Sequence, residues 1–127
     1  MSITGSGLPV SRKVMNLAQF LTQAARRHPG RPGLIRGDRV WTWAEIQRDV
    51  DAFADGLSKQ GIGRGDRILV HARNGHEMFC SMFAAFRLGA VWVPTNVRLT
   101  PPEVAYLARE SGARAFVCQG DQPEHAD

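Results

Sequence analysis

The chain has 127 residues, of which 43% are hydrophobic and 22% are charged, and this size and composition fit one globular domain with a core. Such a hydrophobic content excludes intrinsic disorder, and the mixed composition excludes collagen-like and low-complexity proteins. The net charge is +4, but the arginines are spread along the chain among acidic residues, so they do not indicate a nucleic-acid-binding face.

Residues 1–15 are polar and rich in Gly and Ser, which predicts a flexible N-terminus without the apolar core of a signal peptide. No segment approaches the roughly 18 to 20 apolar residues that a membrane-spanning helix needs, so we expect a cytoplasmic protein. Asn16 and Gln19 have the spacing of a capping box, and they predict a helix that stops before Pro29. Gly37-Asp38 then separates two short runs and predicts a tight hairpin.

Helices and strands alternate in the rest of the chain. Thr42 and Glu45 form another capping box, and Gly61 provides the end of that helix. The pattern then predicts a strand at 67–71, a helix at 77–88, a buried strand at 90–93, a helix from Thr100 to about Ser111 and a strand at 114–118. Residues 119–127 are polar and are expected to fray. The alternation predicts an α/β fold with a small parallel sheet and βαβ crossovers, preceded by a helix and a hairpin.

Two patterns that can carry chemistry are better explained by structure. The glycines at 61, 63 and 65 follow a predicted helix and precede a strand, whereas a dinucleotide-binding fingerprint has the opposite order, so they indicate a turn. No G-x-x-x-x-G-K-[ST] phosphate loop is present in the sequence. His71, His76 and Glu77 are too few and too unevenly spaced to hold zinc, so we expect no metal site.

The two cysteines give no sign of a disulfide or of catalysis. Cys80 and Cys118 lie far apart among apolar neighbours, and we expect both to be buried, reduced thiols. Ser81 and Cys80 occur in an apolar helix without a G-x-S-x-G elbow. No catalytic residue is therefore predicted in this chain.

One loop, Pro94 to Thr100, is a candidate binding site. It follows the carboxyl end of a predicted strand, the position where open α/β sheets bind their ligands. It carries the Thr95 hydroxyl, the Asn96 amide and the Arg98 guanidinium, and an arginine there can fork onto a phosphate. The alternative is that Asn96 only tethers the loop and that Arg98 is a surface charge.

Several short motifs occur in a fixed order along the chain. They are Trp41-Thr42-Trp43-Ala44-Glu45-Ile46, Gly65-Asp66-Arg67-Ile68, Asn74, Gly89-Ala90-Val91 and Pro94-Thr95-Asn96-Val97-Arg98-Leu99-Thr100. In order and spacing this set resembles the N-terminal segment of the adenylate-forming enzymes, the acyl-CoA synthetase (AMP-dependent synthetase and ligase) group, and long-chain fatty-acid–CoA ligases in particular. The resemblance implies that residues 16–118 are part of the larger N-terminal, AMP-binding domain. Trp43 in place of the commoner Tyr and Thr95 in place of the common Leu are small departures.

The resemblance implies a ligase that activates a fatty or aryl carboxylate with ATP and Mg²⁺ to an acyl-adenylate and then transfers it to coenzyme A. The family's phosphate loop and its C-terminal lysine lie beyond residue 127, so we expect the 127-residue chain alone to be inactive and to hold no cofactor. An Arg in the N-P-R-L stretch of related CoA ligases lies near the CoA phosphates. By similarity, Arg98 is a CoA-phosphate contact, and Asn96 and Thr95 belong to the loop near the CoA channel.

A segment of a larger domain exposes apolar surface, so self-association is expected, without nucleic-acid partners or an integral membrane segment. The alternative is a free-standing small α/β module that binds a nucleotide or a partner protein without catalysis. Such a module would be monomeric and would have a polar surface.

Overall fold

The computed structural model describes residues 16–118, so the flexible start predicted for residues 1–15 and the frayed tail predicted for residues 119–127 lie outside the described residues. Helices and strands follow one another in the predicted order. The elements are α1 (Ala18–Arg27), β1 (Pro32–Arg36), β2 (Arg39–Thr42), α2 (Trp43–Lys59), β3 (Arg67–His71), α3 (His76–Leu88), β4 (Val91–Pro94), α4 (Pro101–Ser111) and β5 (Ala115–Cys118). None of the helices in this range is long and apolar enough to cross a lipid bilayer.

The strand β3 is the centre of a three-stranded parallel sheet with the order β4-β3-β5. Ile68 of β3 lies opposite Trp92 on one side and Ala115 on the other. Parallel neighbours need crossover connections, and α3 and α4 supply them. The α3 crossover runs from β3 to β4, and the α4 crossover runs in the opposite direction across the sheet, from β4 to β5. Since such crossovers are right-handed, opposite directions place α3 and α4 on opposite faces of the sheet. The predicted α/β fold with a small parallel sheet is confirmed.

Side chains of β3 alternate between the two faces of the sheet, and each face meets a different layer. Ile68 and Val70 are fully buried in a core formed with α1, α2 and α3. Leu69 is also fully buried but does not belong to that core, and it shares the opposite side with the buried Val104 of α4. Burial on both faces explains why β3 is a continuous apolar run.

The hairpin β1–β2 packs on α2 rather than joining the central sheet. Its two-residue turn at Gly37-Asp38 is the predicted one, with Gly37 in the left-handed region at φ 59°. On β1, Gly33 lies so close to α2 that an added Cβ would be 2.7 Å from the ring of Trp43 and 2.8 Å from Cδ1 of Ile46. The glycine therefore permits close contact between the hairpin and the helix.

The capping box of α2 is confirmed at both of its hydrogen bonds. The Glu45 amide donates to Thr42 Oγ1 at 3.2 Å, and the Thr42 amide donates to Glu45 Oε1 at 3.0 Å. The hydrogen bond to the Thr42 amide holds the pKa of Glu45 below its usual value of 4.5. These are local contacts that the sequence spacing predicts directly.

The capping box predicted for Asn16 and Gln19 is wrong. The helix α1 begins at Ala18, and Asn16 Oδ1 accepts a hydrogen bond from the Ala18 amide at 2.8 Å. The Asn16 side-chain amide instead donates to the Phe86 carbonyl at 2.7 Å. Asn16 therefore ties the start of α1 to α3, because a tertiary acceptor was within reach of its side chain.

The strand predicted at 90–93 lies one residue later and is less buried than expected. Val91 is 45% exposed, and among the strands of residues 16–118 β4 is an outer strand of the sheet and not a central one. A short apolar run is compatible with a central strand and with an outer strand, so the sequence alone does not distinguish the two positions.

Candidate functional site

The loop of residues 95–100, called here the 95–100 loop, leaves the carboxyl end of β4 beside the carboxyl end of β3. The Thr95 amide donates to the Val70 carbonyl at 3.0 Å and so extends the pairing of β4 with β3 into the loop. The chain leaves β3 toward β4 and later returns to its other side at β5. Ligands of open α/β sheets bind outside the carboxyl ends of strands where the strand order reverses in this way.

A buried histidine holds the first residue of this loop. His71 is the last residue of β3 and is fully buried. Its Nδ1 lies 2.6 Å from Thr95 Oγ1 across 24 residues of sequence. A hydroxyl can donate to or accept from an imidazole nitrogen, so the hydrogen bond forms with either tautomer.

The rest of the loop is ordered by its own polar groups. Asn96 Oδ1 accepts a hydrogen bond from the Arg98 amide at 2.9 Å, and the Leu99 amide donates to the Asn96 carbonyl at 3.1 Å. The Thr100 amide donates to Glu103 Oε2 at 2.7 Å, which fixes the start of α4. Asn96 thus holds the loop through its own side chain, as the alternative interpretation of this residue predicts.

The structure leaves the side chain of Arg98 exposed on this loop. Within residues 16–118 no carboxylate forms an ion pair with it. Thr95, Asn96 and Arg98 thus lie on one loop at the carboxyl end of the sheet. Next to them, an apolar groove of about 350 Å³ is lined by Leu99, Pro102, Glu103, Tyr106 and Leu107. An exposed guanidinium without a carboxylate partner is suited to bind an anion such as phosphate.

The glycine-rich segment at 61–66 is a turn between α2 and β3, as predicted. The Gly63 amide donates to Asp66 Oδ2 at 2.8 Å. This hydrogen bond, assisted by the nearby Arg114 guanidinium, holds the pKa of Asp66 below its usual value of 3.8. The backbone amides of the segment are thus partly used within the turn, and Asp66 has a structural role.

His71 and His76, the two histidines considered for metal binding, lie in separate environments. His76 Nε2 is 2.9 Å from Asp49 Oδ2 and 3.4 Å from Cys80 Sγ, and its ring stacks on Trp41 with centroids 4.7 Å apart. His71 contacts Thr95 instead. No group of three or more potential ligands in the described range could hold a metal ion.

Cys80 and Ser81 are buried within α3. Burial, together with the Asp49 and Glu77 carboxylates, raises the pKa of the Cys80 thiol to about 12, which keeps it protonated and unreactive. Ser81 donates to the Met78 carbonyl at 2.7 Å and accepts from Trp92 Nε1 at 3.3 Å. Both residues stabilise the packing of α3, and neither is arranged as a nucleophile.

Sequence reasoning considered His71 only as a metal ligand and missed its contact with Thr95. A signal for it was present, because His71 ends the apolar run Ile68-Leu69-Val70 and a polar side chain at the end of a buried strand needs a partner. The partner itself could not be identified from the sequence.

Comparisons with known proteins match most of this chain. The AMP-binding enzyme family model matches residues 21–127. The long-chain-fatty-acid–CoA ligase FadD13 of Mycobacterium tuberculosis is 37% identical over 104 residues, which cover 80% of this chain and 21% of that protein. The chain spans about a fifth of the length of the curated relatives it matches, with 22% of a feruloyl-CoA synthase of Amycolatopsis as another example.

Two solved structures are similar to the chain in fold. A benzoate CoA ligase from Burkholderia xenovorans LB400 superposes with a TM-score of 0.81 at 25% identity, covering 88% of this chain and 23% of the ligase. An O-succinylbenzoate coenzyme A synthetase from Bacillus subtilis, solved in complex with AMP, gives a TM-score of 0.75 at 27% identity, covering 84% of this chain and 29% of the synthetase.

Proposed function

The chain belongs to the AMP-binding enzyme family, and from this premise we propose that residues 16–118 form part of the N-terminal domain of an AMP-forming acid–CoA ligase. The observation that carries the proposal is the family match over residues 21–127. The relatives that share this segment include a fatty-acid–CoA ligase and, at the level of structure, a benzoate CoA ligase. A fatty or aryl carboxylic acid is therefore the substrate class that we propose.

The proposed reaction has two steps. A carboxylate oxygen attacks the α-phosphorus of ATP, pyrophosphate leaves, and the acid becomes an acyl-adenylate. The thiol sulfur of coenzyme A then attacks the acyl carbon. The bond between that carbon and the phosphate oxygen breaks, and AMP leaves. Adenylation is useful because AMP is a far better leaving group than the oxygen of a free carboxylate.

In the proposed enzyme, residues 16–118 form part of the scaffold and provide one contact to coenzyme A, and no catalytic residue is assigned to them. Mg²⁺ enters as part of the Mg-ATP substrate, and no residue among 16–118 is assigned to bind it, since no suitable cluster of ligands lies there. Arg98 is proposed to contact a phosphate of coenzyme A, with Asn96 and Thr95 shaping the same loop. The exposed Arg98 guanidinium and the hydrogen bond from its amide to Asn96 support this assignment.

The sheet also supports membership of a larger domain. Within residues 16–118, β4 and β5 each have a strand neighbour on one side, and Val91 on β4 is 45% exposed. Open strand edges and exposed apolar side chains favour pairing with further chain. We propose that the isolated segment self-associates for the same reason.

The first experiment reads the coding sequence beyond codon 127 and assays the encoded protein. We expect a phosphate loop downstream, and ATP–pyrophosphate exchange that depends on a carboxylic acid in the longer protein but not in the 127-residue chain. A stop codon directly after residue 127, with a monomeric product, would instead favour a free-standing binding module.

The second experiment replaces Arg98 by Ala in the longer protein. Hydrogen bonds to charged groups are worth about 1.5–3 kcal/mol, so we expect the KM for coenzyme A to rise about tenfold or more. Pyrophosphate exchange does not involve coenzyme A and should change much less. The matched control is Arg109→Ala, which removes an exposed arginine from the last turn of α4. Equal losses in both half-reactions would count against the role proposed for Arg98.

A further inference from the structure

The central strand ends in a polar side chain that the proposed reaction does not use. His71 is fully buried, although it follows three fully buried apolar residues of β3 and lies opposite Cys118 on β5. Its hydrogen bond to Thr95 joins the end of β3 to the first residue of the 95–100 loop.

We propose that His71 is a positioning residue that, through Thr95, fixes the 95–100 loop and so presents Arg98 to a phosphate of coenzyme A. This inference rests on the function proposed above for Arg98. It assigns to His71 neither contact with substrate nor proton transfer.

The first reason is that Thr95 is held in two directions at once. Its amide donates to the Val70 carbonyl at 3.0 Å, and its hydroxyl lies 2.6 Å from Nδ1 of His71. Val70 and His71 are consecutive residues of the most buried strand in the sheet. Both attachments are therefore to fully buried residues of the central strand, and they set the direction in which the loop leaves β4.

The second reason is that the loop between its two fixed ends is short. At its far end, the Thr100 amide donates to Glu103 Oε2 at 2.7 Å, and the Val104 amide donates to the Thr100 carbonyl at 3.0 Å. Between these ends, Asn96 Oδ1 accepts from the Arg98 amide at 2.9 Å. With both ends and the middle held, the direction of the Arg98 side chain depends on where Thr95 is placed.

The third reason is that the contact to His71 depends on a hydroxyl in the loop. Thr95 is half-buried, and its Oγ1 lies at hydrogen-bond distance from a ring nitrogen of the fully buried His71. Removing the hydroxyl while keeping the shape of Thr95 leaves the buried imidazole nitrogen without that partner, which is costly in a low-dielectric interior. The loop would then shift to find another arrangement, and Arg98 would shift with it.

The test uses the full-length enzyme and compares Thr95→Val with Thr95→Ser. The first variant keeps the shape of the side chain without the hydroxyl, and the second keeps the hydroxyl. We expect Thr95→Val to raise the KM for coenzyme A about three- to tenfold, as the loss of one hydrogen bond predicts, and to change acid-dependent pyrophosphate exchange much less. Thr95→Ser should restore most of the loss.

His71 itself is tested by a conservative pair of variants. His71→Asn retains a polar atom near the position of Nδ1, whereas His71→Leu retains none, so the KM for coenzyme A should rise more in the second. Since burial makes these variants prone to misfold, the thermal midpoint of each is measured with the kinetics. The Thr95 pair decides the question if either His71 variant fails to fold.

A double variant distinguishes the role proposed for His71 from the phosphate contact proposed for Arg98. If Thr95 acts through Arg98, then Thr95→Val adds little to the KM for coenzyme A once Arg98→Ala is present. A normal KM in Arg98→Ala would overturn both the phosphate contact and the role of His71. A raised KM in Arg98→Ala with a normal KM in Thr95→Val would overturn the role of His71 alone. Equal losses of exchange and thioester formation in Thr95→Val would show a purely structural contact and would also overturn it.

Discussion

Gly33 offers a sharp test of how the hairpin packs on α2. Replacing Gly33 by Ala adds a methyl carbon 2.7 Å from two ring carbons of Trp43 and 2.8 Å from Cδ1 of Ile46. Ordinary carbon–carbon contacts lie at about 3.5–4.0 Å, so each neighbour must move by about 1 Å. Ile46 is fully buried, and Trp43 is the first residue of α2 and lies inside the capping box between Thr42 and Glu45, so neither can move freely.

Overpacking of this kind costs about 1–3 kcal/mol, and we expect Gly33→Ala to lower the free energy of unfolding by that amount. Gly30→Ala is the matched control, because an added Cβ there meets nothing within 4 Å and the backbone is not left-handed. An alanine at such a position stabilises by up to about 1 kcal/mol, since it restricts the unfolded chain. The two variants should therefore differ by at least about 1 kcal/mol.

The assay is equilibrium urea unfolding of the protein, with the midpoint compared at a constant slope. Adding Ile46→Val to Gly33→Ala removes one of the two crowding side-chain ends, so the double variant should be more stable than the sum of the single changes predicts. Equal midpoints for Gly33→Ala and Gly30→Ala would refute the tight contact between β1 and α2.

Two further predictions concern acid stability and thiol reactivity. The pKa of Asp66 is lowered in the folded protein, so its stabilising contribution is present above its usual value of 3.8 and is lost as the pH falls through the lowered value. Asp66→Asn should therefore flatten the loss of thermal stability that accompanies acidification below the usual pKa of Asp66; parallel profiles for wild type and Asp66→Asn would contradict this. For the buried Cys80, whose pKa is raised to about 12, we expect a thiol reagent at neutral pH to label a Cys118→Ser variant only as fast as the protein opens, with faster labelling in urea. Rapid labelling in native buffer would show that the thiol is accessible and ionised.

Local features of the fold could be predicted because their causes lie within a few residues. The spacing of Thr42 and Glu45 predicts a capping box, and both of its hydrogen bonds are present. Gly37-Asp38 predicts the hairpin turn, since a left-handed residue is needed there and Gly37 adopts it. The strand β3 was predicted with its observed bounds, because turn residues flank an unbroken apolar run.

The position of the candidate loop in the fold could be predicted from the sequence, but the side chains that hold the loop could not. Helix–strand alternation places the 95–100 loop at the carboxyl end of a parallel sheet, where ligands bind. The role of Arg98 in that loop comes from the resemblance to CoA ligases and stays a prediction. The same alternation does not tell which side chains hold the loop. From the sequence His71 is considered only for metal binding, which its spacing argues against, and the structure shows that its Nδ1 contacts Thr95.

The amino-acid sequence by itself determined the order of elements, the capping box of α2 and the family, because propensity, capping and motif spacing are properties of neighbouring residues. Only the tertiary structure decided that β3 is central and β4 an outer strand, that Asn16 bonds to Phe86 across 70 residues, and that His71 meets Thr95 across 24. The physical reason is that buried polar groups must find partners, and which partners are within reach is set by how the layers pack.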